Sequence, residues 1–158
     1  MEPFEYFIKE KMVRKGLPNP ERAKSLIKDA EMRIKSVLKL KNEEFAKIIF
    51  ENIYDALRDF CDVLLLLDGF KPYSHKASIS YLSKKGFDIS IINELDQFRF
   101  KRNGSKYYGK EIKSEDAKDI KGFYLKIKDK IEKLIKEKLK NEWFIFMAQG
   151  EWEGKRGN

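Results

Sequence analysis

The chain has 158 residues, 42% of them hydrophobic, enough for one domain with a sizeable core. Lys and Arg number 34 against 26 Asp and Glu, and the resulting formal charge of +8 favours anionic partners, nucleic acid first among them, unless the surplus lysine only solvates the surface. The lone Cys61 excludes an intramolecular disulfide, and together with the lone His75 it cannot assemble a His/Cys zinc site. No calcium-loop pattern is present, so no metal and no cofactor are expected.

The N-terminus mixes Glu2, Glu5 and Glu10 with Phe4, Phe7 and Ile8, unlike the unbroken apolar centre of a signal peptide. Pro3 to Lys15 reads as a short amphipathic helix stopped by Gly16 and Pro18. Asn19-Pro20-Glu21 then restarts a helix, with Asn19 as N-cap, that runs to about Leu40 on Ala23, Leu26, Ile27, Ala30, Ile34, Val37 and Leu38. Asn42 begins the buried central helix, apolar at Phe45, Ile49, Ile53, Leu57, Phe60 and Leu64, which ends at Asp68-Gly69. Its strongest apolar run, Val63 to Leu67, is far too short to span a bilayer, so by elimination the expectation is a cytoplasmic protein without a membrane segment.

Ser74 caps a shorter helix closed by Gly86, and Asp88 caps another with Ile91, Ile92, Leu95 and Phe98 on its apolar side. Ser114, with Glu115 and Asp116 in the first turn, opens a long last helix whose stripe is Ile120, Tyr124, Ile127, Ile131, Leu134, Ile135 and Leu139. Trp143 to Met147 reads as a further short apolar element and 150–158 as a frayed end. No window shows sustained period-two alternation, which argues against a sheet. The expected fold is all-α: an antiparallel bundle of about five main helices plus a short N-terminal one, in a single domain with its core at about 20–140. Abundant Lys, Glu and Ile, with Gln97 and Gln149 the only glutamines, hint at a thermophilic source.

Chemistry concentrates between Arg99 and Lys110. Arg99, Lys101, Arg102, Lys106 and Lys110 occur there without an acidic residue, interleaved with Phe100, Tyr107 and Tyr108. Basic groups beside aromatic faces suit a phosphate backbone and exposed bases, although the same charges at a helix end also answer the macrodipole. On the central helix Glu51, Asp55, Asp59 and Asp62 recur at helical spacing beside Arg58. They form either a solvated acidic face or, if turned to the basic segment, a set from which Asp55 or Asp59 holds Arg102 in a fixed fork. Lys126, Lys130, Lys133 and Lys136 of the last helix would either extend a positive track or serve solubility, since Asp129, Glu132 and Glu137 dilute them.

The order Arg102-Asn103-Gly104-Ser105-Lys106-Tyr107-Tyr108 resembles the signature of HEPN-domain proteins, in which an arginine, usually followed by asparagine or another polar residue, precedes a histidine with four to six residues between them. Asn52-Ile53-Tyr54-Asp55 resembles the family's second helix, and Leu67-Asp68-Gly69 through Ser74-His75 its following turn, so that the resemblance covers about 20–140. It implies metal-independent RNA cleavage in active members, at a composite site across a homodimer, and a toxin-antitoxin pairing with a nucleotidyltransferase-like partner. Carried onto this chain, Arg102 is the phosphate clamp, Asn103 a hydrogen-bonding aid, Asp55 the acid that orients the arginine, and Tyr107 stands where the histidine belongs, facing a groove shared with Arg102 near Asp55. A phenol near pH 10 does not shuttle protons at neutrality as an imidazole near 6.5 does, so the substitution bears on turnover more than on binding. Asn103-Gly104-Ser105 is turn chemistry and leaves open whether the helix ends inside the motif. His75, the only imidazole, is either a substitute acid or base or a locally bonded residue after a helix cap. The competing class is a non-catalytic module that uses apolar helix faces to bind a partner.

Overall fold

The computed structural model describes the backbone of residues 1–148 and the side chains of residues 1–140. It is an all-α helical bundle with one minute sheet. The elements run α1 (Phe4–Lys9), β1 (Val13–Lys15), α2 (Pro20–Val37), α3 (Asn42–Leu67), β2 (Phe70–Pro72), α4 (His75–Ser80), a 3-10 turn (Tyr81–Lys85), α5 (Ile89–Tyr108) and α6 (Ser114–Ala148). The expected apolar element at Trp143 to Met147 is, in backbone, the continuation of α6; its side chains and the expected frayed end lie outside the described residues. No helix among the described residues is long and apolar enough to cross a membrane.

Local chemistry sets most boundaries. The Asn19 side chain accepts from Arg22 N–H at 3.1 Å with Pro20 following, and Ser74 Oγ accepts from Ala77 N–H at 3.4 Å. Asp88 occupies the expected cap position of α5 but its side chain makes no capping bond. Asp116 accepts from the Lys113 N–H at 2.8 Å and so closes the start of α6.

The N-terminal helix is shorter than the sequence suggests. Val13–Lys15 leaves helical geometry to pair antiparallel with Phe70–Pro72, Val13 opposite Pro72 and Lys15 opposite Phe70, so the argument against any sheet gives way to this ribbon. The ribbon depends on Gly69. Its φ is +87°, and a Cβ there would stand 2.8 Å from Gly16 O, while Gly16 N–H donates to Gly69 O at 2.6 Å.

The core lies along α3, flanked by α2 and α6, with Tyr54, Phe50, Ile53, Leu57 and Leu64 fully buried. Phe50, Phe98 and Phe123 stack edge to face, with centroids 5.9 and 5.3 Å apart, and bind α3, α5 and α6 together. At the far end Asp68 collects the Tyr81 hydroxyl at 2.5 Å, Lys85 Nζ at 2.9 Å and Lys138 Nζ at 2.8 Å.

Candidate functional site

α3 is buried nearly all round, yet one flank carries Asn52, Asp55, Arg58, Asp59 and Asp62. Charges on a core helix persist only when partnered, and the partners come from three other helices. From α5, Arg102 places Nη2 3.2 and 3.3 Å from the two carboxylate oxygens of Asp55. From α2, Arg33 Nη1 lies 3.9 Å from Asp55 and 3.4 Å from Asn52 Oδ1. From the start of α4, His75 Nε2 lies 3.1 Å from Arg58 Nη1, and Ser78 Oγ donates to Asp62 at 2.5 Å. Arg99 points the same way one turn before Arg102, its Nε held 2.7 Å from Asp96.

The protonation states follow from this crowding. A guanidinium can only donate, so Nε2 of His75 is the acceptor and the ring is neutral. Loss of hydration, then the charges of Arg58, Arg102 and Arg99, hold the His75 pKa below the ordinary histidine value. Burial pushes Asp59 up to about 6, opposed by Arg58 3.6 Å away. Burial also raises Asp62, against the Ser78 bond.

Two guanidinium donors remain unspent. Arg58 Nε and Arg102 Nε are buried and have no hydrogen-bond acceptor among the described residues. Both arginines are therefore oriented by carboxylates through one edge while another edge keeps donor capacity, an arrangement suited to a tetrahedral oxyanion.

The expected site residues divide into two groups. Arg102, Asp55, Arg99 and His75 converge, and Asn103 sits half-buried beside Arg102. Tyr107 and Tyr108 do not join them: they are 66% and 79% exposed. Tyr107 lies five residues beyond Arg102, about 140° around the helix, so within one chain the two share no groove. Its ring is covered by Lys106 Nζ at 5.5 Å. Lys101 is paired with Asp116, and the stem of Lys110 lies over Gly104. Gly104 does not end the helix. α5 continues to Tyr108, and Gly109, at φ +65°, terminates it.

Sequence reasoning placed Arg58, Asp59 and Asp62 on the stripe that could turn to Arg102, with Asp55 or Asp59 as its partner; the structure gives that role to Asp55, and Arg33 and Ser78 were not foreseen. Charged residues interrupting the most apolar helix carried that signal for α3; Arg33, on the outer face of α2, offered none. Of the α6 lysines, Lys126 is paired with Glu94 at 2.8 Å, and Lys130 reaches Gly86 O and the Phe87 ring. No group of His, Cys, Asp and Glu among the described residues is arranged to hold a metal ion. Comparison of the chain with protein-family models, curated proteins and solved structures returned no match.

Proposed function

We propose that this chain is a HEPN-like RNA- or nucleotide-phosphate-binding protein whose phosphate site is the arginine cluster around Arg102. One observation carries the reading: Arg58 and Arg102, held beside Asp59 and Asp55, each keep a buried Nε–H without an acceptor among the described residues. A phosphate oxygen supplies what those donors lack.

The reading is of binding more than turnover. An in-line cleavage needs a base for the 2′-hydroxyl and an acid for the leaving oxygen, and Tyr107 is an exposed phenol turned away from Arg102 within one chain. A ribonuclease site in this frame would need Tyr107 of one copy to meet Arg102 of another. The resemblance to the family carries with it a homodimer, a nucleotidyltransferase-like antitoxin partner and a cytoplasmic setting as parts of the same proposal.

The alternative, a partner-binding helical module, draws on the exposed aromatics Phe100 (69%), Tyr107 and Tyr108. One titration separates the two. Labelled RNA is titrated with wild type, Arg102→Ala and Arg58→Ala across a rising salt series in EDTA. Phosphate binding predicts affinity that falls steeply with salt and drops about tenfold or more in each variant. Absence of RNA binding by the wild type at low salt overturns the proposal. In the same samples cleavage is expected to be absent, and its gain by Tyr107→His would mark a degenerate nuclease frame.

A further inference from the structure

Two hollows meet at Asp62. The smaller, about 210 Å³, is lined by Arg58, Asp62, Tyr73, Ser74, His75 and Ser78. The larger, about 500 Å³, shares Asp62 and Pro72 with it and opens between the start of α2 and β2, past Arg22, Leu26, Leu66 and Lys71. Together they form a trough that begins beside the ribbon and ends at Arg58 and His75, the near edge of the arginine cluster.

Its chemistry is graded along its length. At the middle stands the carboxylate of Asp62, whose single hydrogen bond among the described residues comes from Ser78. The other oxygen has no donor there, and burial holds the pKa of the group above the ordinary aspartate value against the Ser78 bond and the charges of Arg58 and Arg22. On the rim is Tyr73, 53% exposed, with Arg14 and Lys71 each 5.5 Å from its ring centre. At the inner end are the Arg58 guanidinium and, one helical turn further along α3, the Asp55–Arg102 pair. Arg58 is four residues from Asp62 and Asp55 seven, a rise of about 6 and 10 Å. A nucleoside monophosphate covers that span from the edge of its base to its phosphate.

We propose that the trough is a nucleobase pocket selective for guanine, with Asp62 reading the base, Tyr73 offering an aromatic face, and Arg58 and Arg102 taking the phosphate. The inference rests on the phosphate site proposed above and adds to it the identity of the base. Guanine presents two neighbouring donors, N1–H and N2–H, to a carboxylate that can only accept. The amino groups of adenine and cytosine adjoin a ring nitrogen that is itself an acceptor, and uracil's single N–H is flanked by two carbonyls, so each sets a lone pair against Asp62.

The test is calorimetric titration of the full chain with GMP, AMP and inorganic phosphate. GMP is expected to bind about tenfold or more tightly than AMP, the discrimination typical of a paired base contact. Asp62→Asn is expected to bring GMP down to the level of AMP while inorganic phosphate still binds, at least as tightly as to the wild type. Tyr73→Ala, at an exposed position that does not threaten folding, should weaken both nucleotides but not phosphate. Arg102→Ala should weaken all three ligands. Phosphate bound by the wild type with no preference for GMP over AMP overturns the pocket alone, as does a preference that survives in a folded Asp62→Asn protein. Failure of every ligand, phosphate included, to bind overturns the pocket and the phosphate site together.

Discussion

Arg102 reaches Asp55 through a single nitrogen, Nη2, which bridges both carboxylate oxygens at 3.2 and 3.3 Å and leaves Nε without an acceptor among the described residues. An ordinary structural fork spends two guanidinium nitrogens on its carboxylate. Here half of the fork is kept back, and the partner fixes the direction of the arginine without exhausting it.

The consequence for mutation is a split between charge and geometry. Asp55→Ala makes the site more positive, yet the arginine loses its anchor. RNA affinity measured by anisotropy at physiological salt is expected to fall several-fold, with a steeper salt dependence than the wild type. Both side chains are less than a fifth exposed, so removing one partner should also cost about 2 kcal/mol in urea unfolding. Arg102→Lys keeps the charge and loses the planar donors, and should bind like Arg102→Ala.

Asp59 gives the molecule a pH dependence with a definite sign. Burial raises its pKa from 3.8 to about 6, so the folded chain holds the proton more tightly than the unfolded one. The stabilising contribution is complete below about pH 4 and is lost as pH rises through about 6. Asp59→Asn should therefore raise unfolding free energy at pH 8 by on the order of 2 kcal/mol and flatten the slope between pH 4 and 6. Urea unfolding at the two pH extremes measures both effects.

His75 supplies a spectroscopic probe, because it is the only histidine in the chain. Its imidazole resonances should titrate below the ordinary value of 6.5, and Arg58→Ala should move the midpoint back up. The linked stability runs opposite to that of Asp59: it is present above 6.5 and lost as pH falls through the lowered pKa.

Two glycines should respond oppositely to alanine. At Gly69 a Cβ would meet the Gly16 carbonyl at 2.8 Å with φ at +87°, and the substitution should lower stability by about 2 kcal/mol or more. At Gly104 the nearest atom is Lys110 Cδ at 3.1 Å, on an exposed flexible stem that can shift. There the better helix propensity of alanine should prevail, raising stability by roughly 0.5–1 kcal/mol. Thermal melts of the two variants provide the comparison.

The helices were legible where their ends are local chemistry. Asn19-Pro20, Ser74, Gly86 and the charged first turn of α6 announce boundaries within a few residues of themselves. Val13–Lys15 was not legible, because its strand conformation is imposed by Phe70–Pro72, distant in sequence. Asn103-Gly104 left the helix end open from sequence, and the helix runs through, since turn residues yield when helix on both sides and a covering lysine stem hold them. In the site, the helical spacing of Asp55, Asp59 and Asp62 pointed to an acidic stripe able to meet Arg102. Arg33 and the Arg58–His75 contact depend on how α2 and α4 dock, which no local pattern encodes.

Asp68 bears on where the molecule opens. It ties α3, the 3-10 turn and α6 together at one end through a hydroxyl and two ammonium groups, whereas the junction of α5 and α6 at Gly109–Lys113 is largely solvent-facing. Amide protons should therefore exchange last around Leu64–Asp68 and first around Tyr107–Lys110, through local fraying that spares the bundle. The exposed tyrosines would then ride on the least protected segment, able to rearrange around a ligand while the arginines a turn earlier stay still.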